Sequence, residues 1–314
     1  MCAKRNSTTW LLHSLSLLVK YYGNEQVDNF SPRPLVFLQE KWLEQGLARQ
    51  TVNRNVNVIK QAFKHGVKFE WADAKTLYAL QAVENLKKGR TEASEYRKIR
   101  PVADDIVERT LPFMPPIVAD TVRIQRRCGM RSQDVRNLRA CDINRTGDVW
   151  CFEPYTHKTE HKGKNRPIAI GPRAQAILLP YLLEKEGTPE AFLFSPKDAI
   201  RLKKVEKRRN RKNLNKKGQV QPSQIDRSKQ NPSKKPGDQY TKDSYNVAIR
   251  RACKKAGVPV WTPNQLRHSA GTEVRNKYGL ETAQVVLGHA NAKTTEIYAE
   301  LDFEKAVKVA REIG

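Results

Sequence analysis

The sequence predicts a mainly α-helical protein whose second, larger domain contains a small antiparallel β-sheet, preceded by an all-helical N-terminal domain. Three observations lead there. Apolar residues recur at helical spacing over most of the chain, as in Val52, Val56, Ile59 and Phe63. Alternation with period two replaces that pattern between Cys141 and Ile170. A charged stretch, residues 88–102 with Pro101 near its end, separates the two regions and reads as a linker. The domains are therefore 1–87 and 103–314, of ordinary size for a chain of 314 residues.

The elements follow in order. Leu11, Leu15 and Leu18 share one face of an amphipathic first helix. Lys4 and Arg5 before the apolar run Trp10–Val19 resemble a signal peptide, but His13, Ser14 and Ser16 interrupt the run and no small-residue cleavage site follows. Ser31-Pro-Arg-Pro34 opens a second helix carrying Leu35, Phe37, Leu38 and Trp42. The stripe Val52 to Phe63 marks a third, whose opposite side carries Asn53, Arg54, Asn57, Lys60 and Lys64. Asp73 and Ala74 open a short helix through Leu80. In the second domain, Asp104 and Asp105 begin a helix through Leu111, and another runs from Ile117 to Arg127. Val149, Cys151 and Phe152 form one strand and Pro167–Gly171 the next, joined by a polar hairpin containing Gly163. Ala174–Leu183 and the region from Thr241 to Gly314 return to helical spacing, the latter with breaks.

Residues 201–236 stand apart. They hold 14 Lys/Arg against 2 Asp/Glu and few large apolar residues, too little apolar surface to order the whole segment. Arg201 to Lys212 reads as a basic helix and the rest as a loop, either tracking phosphates or simply solvated.

The whole chain carries 58 Lys+Arg and 33 Asp+Glu, a formal net charge of +25. Such a field favours polyanions, nucleic acid foremost. Five cysteines at scattered positions suggest no disulfide framework and fit a reducing, cytoplasmic setting. Cys128, Cys141, Cys151, His157 and His161 lack the paired spacing of a zinc site, so no metal is expected. No run reaches the roughly 18 apolar residues of a membrane span.

Three segments carry the chemistry: Gly129-Met-Arg-Ser-Gln-Asp134 with Leu138, Thr262–Thr272 around Leu266-Arg-His268, and Leu287-Gly-His289 followed by Thr294-Thr-Glu-Ile-Tyr298. Breaking a phosphodiester without a metal demands guanidinium forks for the non-bridging oxygens, a further donor, an in-line nucleophile and an acid for the leaving oxygen. Arg131, Arg267, His289, Tyr298 and the hairpin's Lys158 supply one such set, in that chemical order of roles. His268, beside Arg267, reads as a structural hydrogen-bonding residue.

This ordered combination resembles the tyrosine recombinase, or phage integrase, family over about residues 100–314. The resemblance implies that Tyr298 attacks the scissile phosphate to give a 3′-phosphotyrosyl link. It implies that Arg131, Arg267 and His289 hold the phosphate and that Lys158 protonates the leaving 5′ oxygen, with Lys162 and Lys164 as neighbouring candidates. Asp134, where the family has Glu, would support the site. Asn264 stands where the family usually has His or Lys; it donates a hydrogen bond but carries no proton. The first domain resembles the family's core-binding, SAM-like domain, which makes Arg54, Asn57, Lys60 and Lys64 candidate DNA contacts. Two domains clamping duplex DNA, four protomers on two sites, no cofactor and no ATP complete what the resemblance implies, in integration or excision of a mobile element. A type IB topoisomerase uses similar chemistry, and a catalytically impaired DNA-binding protein of the same fold is the alternative from another class.

Overall fold

The computed structural model describes residues 5–155, 167–210 and 235–288, and the chain divides between Lys98 and Ile99 into two units. The first unit is all-helical: α1 (Arg5–Tyr22), α2 (Pro32–Glu44), α3 (Arg49–Lys68) and α4 (Ala74–Gln81). α2 starts on a proline, whose missing N–H costs nothing in a first turn. α4 starts where the Asp73 carboxylate accepts the N–H of Lys75 at 2.9 Å. Leu35, Leu38, Val52, Val56, Ile59 and Leu80 are wholly buried where these helices meet. In α1 the inward face is rotated from the expected one. Ser14 and Leu17 are buried and Leu15 and Leu18 pack partly against the core, while Leu11 is 40% exposed. The chain leaving α4 is held to α3 through Asn53, whose side chain accepts from the N–H of Leu86 and donates to its carbonyl, at 2.8 and 3.0 Å.

The segment between the two regular regions is tied at both ends. Arg49 on α3 forks onto Glu95, its N–H donates to the Ser94 carbonyl at 2.9 Å, and Thr51 bonds Tyr96. Val102 is buried in the core of the second unit, with its N–H donating to Ser269 Oγ at 3.0 Å.

The second unit orders α5 (Asp104–Thr110), α6 (Pro116–Cys128), α7 (Ser132–Arg136), strands β1 (Ile143–Asn144), β2 (Trp150–Phe152) and β3 (Ile168–Ile170), then α8 (Pro172–Glu184), α9 (Pro196–Arg209), α10 (Lys242–Ala256) and α11 (Pro263–Leu287). The sheet is antiparallel in the order β1-β2-β3, with Trp150 opposite Ile170 and Phe152 opposite Ile168. That register turns Phe152, Ile168 and Ile170 inward. Val149, expected in the strand, precedes it and is 51% exposed. β1 pairs Ile143 with Phe152 and is too short to show a period of its own. α6 forms the centre: Val118, Val122 and Ile124 are buried, and the helix packs against both α8 and α11. The protein is thus mainly helical with one small antiparallel sheet.

Two details position the site. α9 begins five residues before the expected basic helix because Ser195 Oγ accepts the N–H of Lys197 at 3.1 Å and Pro196 opens the first turn. α11 is interrupted at Gly279, with φ 88° and ψ 173°, a region open essentially only to glycine. Among the described residues no helix is long and apolar enough to cross a membrane, and no group of three His, Cys, Asp or Glu side chains gathers as a metal site.

Phe152 is the natural test of this core. Phe152→Ala is expected to lower the stability of the second unit by about 3–5 kcal/mol, read from urea unfolding. A loss under about 1 kcal/mol would mean that the sheet is not anchored there.

Candidate active site

Arg267 is the largest fully buried side chain among the described residues, at 1% exposure. It lies one turn into α11. One terminal amino group donates to the carbonyl of Gly129 and the other to the carbonyl of Leu287, both at 2.6 Å. These carbonyls close α6 and the second half of α11. One guanidinium therefore ties together backbone from all three motif segments. A planar fork with five N–H donors suits two diverging acceptors as a lysine would not.

The turn after α6 is built for this contact. Gly129 caps the helix in the left-handed region at φ 60°. A Cβ there would sit 3.2 Å from Leu287 Cδ2 and 3.5 Å from Ala270 Cβ, so glycine satisfies both the backbone and the packing. Met130 then descends into the core and Arg131, half-buried, leads into α7. The buried Asp134 carboxylate accepts the backbone N–H of Arg131 at 3.1 Å, fixing the main chain from which this side chain projects.

Gln125 is a second brace. Wholly buried on α6, it donates to the carbonyls of Met130 and Pro263 at 3.3 and 2.9 Å and accepts from Tyr245 Oη at 2.9 Å. It joins the first segment to the start of the second. A lone glutamine one turn past Val122 and two past Val118 on an apolar stripe is the sequence signal that marks it. Burial raises the Tyr245 hydroxyl well above its ordinary pKa, so it serves as a neutral donor. Arg126 pairs with Asp104 at 2.7 and 2.8 Å and with Glu273 at 2.9 Å, joining α5, α6 and α11. Arg136 donates to Ser132 O and Tyr240 O, both at 2.8 Å, and burial lowers its pKa.

Asn264 and His268 occupy successive turns of α11. Asn264 is exposed, and its amide meets His268 Nε2 at 3.4 Å. Burial, followed by the neighbouring Arg267 charge, pushes the His268 pKa down to about 4. The imidazole is accordingly neutral at physiological pH. Lys158, Lys162, Lys164, His289 and Tyr298 lie outside the described residues, as do His157 and His161.

In the first unit, Arg54, Asn57 and Lys64 are exposed on α3, and Arg54 and Asn57 line a shallow groove with Gln50, Asn53, Val58 and Gln61. Lys60 is half-buried, with its ammonium donating to the Val83 carbonyl and its pKa lowered by burial.

Two measurements test the site's frame. Gly129→Ala must adopt a positive φ against a close Leu287 contact and is expected to lose about 1–2 kcal/mol together with DNA cleavage; full stability would contradict the described turn. His268 has a folded pKa below its unfolded value, so the unfolded chain binds more protons between the two. Stability should be complete above about pH 6.5 and fall as pH drops toward 4. His268→Gln should flatten that part of the curve, and an unchanged slope would show that the imidazole is already free to protonate.

Residues 92–305 match the model of the phage integrase family. The tyrosine recombinase XerA of Pyrococcus horikoshii is 27% identical over 79% of this chain and 70% of its own length. The tyrosine recombinase XerC of Shewanella amazonensis is 48% identical, over 23% of this chain and 25% of its own. Among solved structures, the Tn1549 transposon integrase in complex with transposon right end DNA superposes with TM-score 0.66 at 16% identity, covering 99% of this chain and 95% of the other. A lambda integrase dimer bound to a core site superposes at 0.62 with 11% identity, covering 95% and 89%, and shares the fold. The chain belongs to the phage integrase family, the tyrosine recombinases, enzymes of DNA recombination that break and rejoin DNA.

Proposed function

We propose that this recombinase acts site-specifically through a 3′-phosphotyrosyl intermediate, with Tyr298 as nucleophile. The Tyr298 hydroxyl passes its proton to His289, and its Oη–phosphorus bond forms as the bond from phosphorus to the 5′ oxygen breaks. Lys158 gives the leaving oxygen its proton, and Arg131, Arg267 and His289 carry the charge that gathers on the non-bridging oxygens. The covalent link conserves the phosphoester bond energy, so the returning 5′ hydroxyl rejoins the strand without ATP. The observation that carries this reading is the Arg267 fork: it binds the backbone two residues before Arg131 and two before His289, placing one permanent cation where the three segments converge.

Duplex DNA is the substrate in this reading. The solved structures named above include a transposon integrase in complex with transposon end DNA and a lambda integrase dimer bound to a core site, which supports integration or excision of a mobile element; action in the cytoplasm by four protomers on two sites completes the proposal. Arg54, Asn57 and Lys64 on α3 are the proposed contacts of the first domain, residues 1–87, with Lys60 acting through its carbonyl contact. Residues 88–102 join it to the catalytic domain, 103–314. Asn264 favours a second reading, a DNA-binding protein of the same fold with impaired catalysis.

One assay separates the two. Incubated with a nicked suicide duplex, the wild-type chain should yield a protein–DNA adduct that survives denaturant, and Tyr298→Phe should yield none. An adduct that persists in Tyr298→Phe removes the nucleophile assignment. DNA binding without an adduct in the wild type establishes the impaired reading.

A further inference from the structure

The charge of α9 is distributed along its axis in a way that packing does not explain. Its first half is anchored. Ala199 and Leu202 pack against the core, Lys185 pairs with Asp198 at 2.8 Å, and Arg201 pairs with Glu184 on α8. From Lys203 to Asn210 every residue is exposed, Val205 included at 57%. Among the described residues Lys203, Lys207, Arg208 and Arg209 make no ion pair. Two turns of helix thus leave the body with five cations, Lys203, Lys204, Lys207, Arg208 and Arg209, against the single acid Glu206.

Such a projection opposes its own stability. Tertiary packing supplies most of a helix's stability in a protein, and among the described residues these turns bury no side chain. Lys203 and Lys207, and Lys204 and Arg208, stand at the i,i+4 spacing where like charges repel. Only the last-turn cations gain from the helix dipole. A bound polyanion converts that repulsion into attraction. The base of α9 also lies beside the first motif: Lys197 pairs with Asp238, and Tyr240, two residues on, receives the Arg136 guanidinium from α7. From Lys197 the helix carries its cations out to about 18 Å.

We infer that the projecting half of α9 is a second duplex-DNA contact surface, which holds backbone phosphates apart from the three motif segments. This rests on the reading of duplex DNA as the substrate. Contact is electrostatic and independent of sequence, since lysine and arginine along a helix meet phosphate oxygens without reading bases. It adds affinity and orientation to the enzyme rather than target choice.

The test uses the full chain and a fluorescein-labelled mixed-sequence duplex, with affinity measured by anisotropy across a salt series. Each lost phosphate contact removes about 0.9 from the slope of log affinity against log salt. The triple variant Lys203→Gln, Lys207→Gln, Arg208→Gln should therefore reduce the slope by about 2–3 and weaken binding at low salt. The charge-keeping triple Lys203→Arg, Lys207→Arg, Arg208→Lys should retain the wild-type slope. An unchanged slope in the glutamine variant overturns the inference and assigns these cations to solvent or another partner. A slope reduced equally in both variants overturns it as well, because the loss then comes from altered folding. Tyr298→Phe carried through the same salt series keeps the two proposals apart: it removes the covalent adduct but leaves the slope, so either can fail alone.

Discussion

The buried Arg267 guanidinium is the constraint on which the catalytic unit is arranged. An ion at 1% exposure needs compensating polar partners. Here two carbonyls at helix ends accept from its two terminal amino groups at 2.6 Å. Carbonyls at a helix C-terminus lack intrahelical partners and carry the negative end of the dipole. Cation and acceptors therefore satisfy each other, and neither α6 nor the far half of α11 can move without exposing an orphaned charge. The permanent ionisation of arginine makes the tie insensitive to pH, whereas the adjacent His268 is held neutral by the same burial.

The surrounding braces repeat the principle with other buried side chains. Gln125 spans Met130 and Pro263, Ser269 Oγ bonds both the N–H and the carbonyl of Val102, and Asp134 holds the N–H of Arg131. Each joins backbone to a buried side chain. Backbone is what must be fixed if flexible arginine side chains are to meet one phosphate in common geometry. The frame is thus stiff around Arg131 and Arg267 before any substrate arrives.

Much of this was legible in the residues, for identifiable reasons. The stripes Val52–Phe63 and Val118–Ile124 carry strong helical periods, and the three motif segments were recognisable because their order is more specific than any member. The rotation of α1 was hidden because its apolar run is nearly continuous, so Leu11 and Leu17 look alike until α3 selects one face. β1 spans two residues, below any period. The early start of α9 depended on Ser195 and Pro196, local capping chemistry that precedes the charge run drawing the eye. The Arg267 fork was beyond reach because spacing identifies an arginine and says nothing of which carbonyls it holds. In the first unit, Lys60 sits on the same polar side as Arg54 and Asn57, yet its ammonium is turned onto Val83. Charge on a helix face does not fix where a long side chain ends.

The frame also constrains where protons can move. Asn264 has no titratable proton, and His268, one turn on, is neutral down to about pH 4. A base that weak does not take a proton from a tyrosine hydroxyl at neutral pH, and an imidazolium that scarce does not supply one to a leaving oxygen. In the proposed mechanism the second motif of this chain then contributes charge and donors, through Arg267 and the Asn264 amide, rather than an acid or base. If Tyr298 is the nucleophile, both proton transfers fall to groups outside that motif: the hairpin lysines, Lys158 foremost, and His289. The substitution at 264 then concentrates the pH dependence of cleavage in those few residues, instead of sharing it with a histidine on α11.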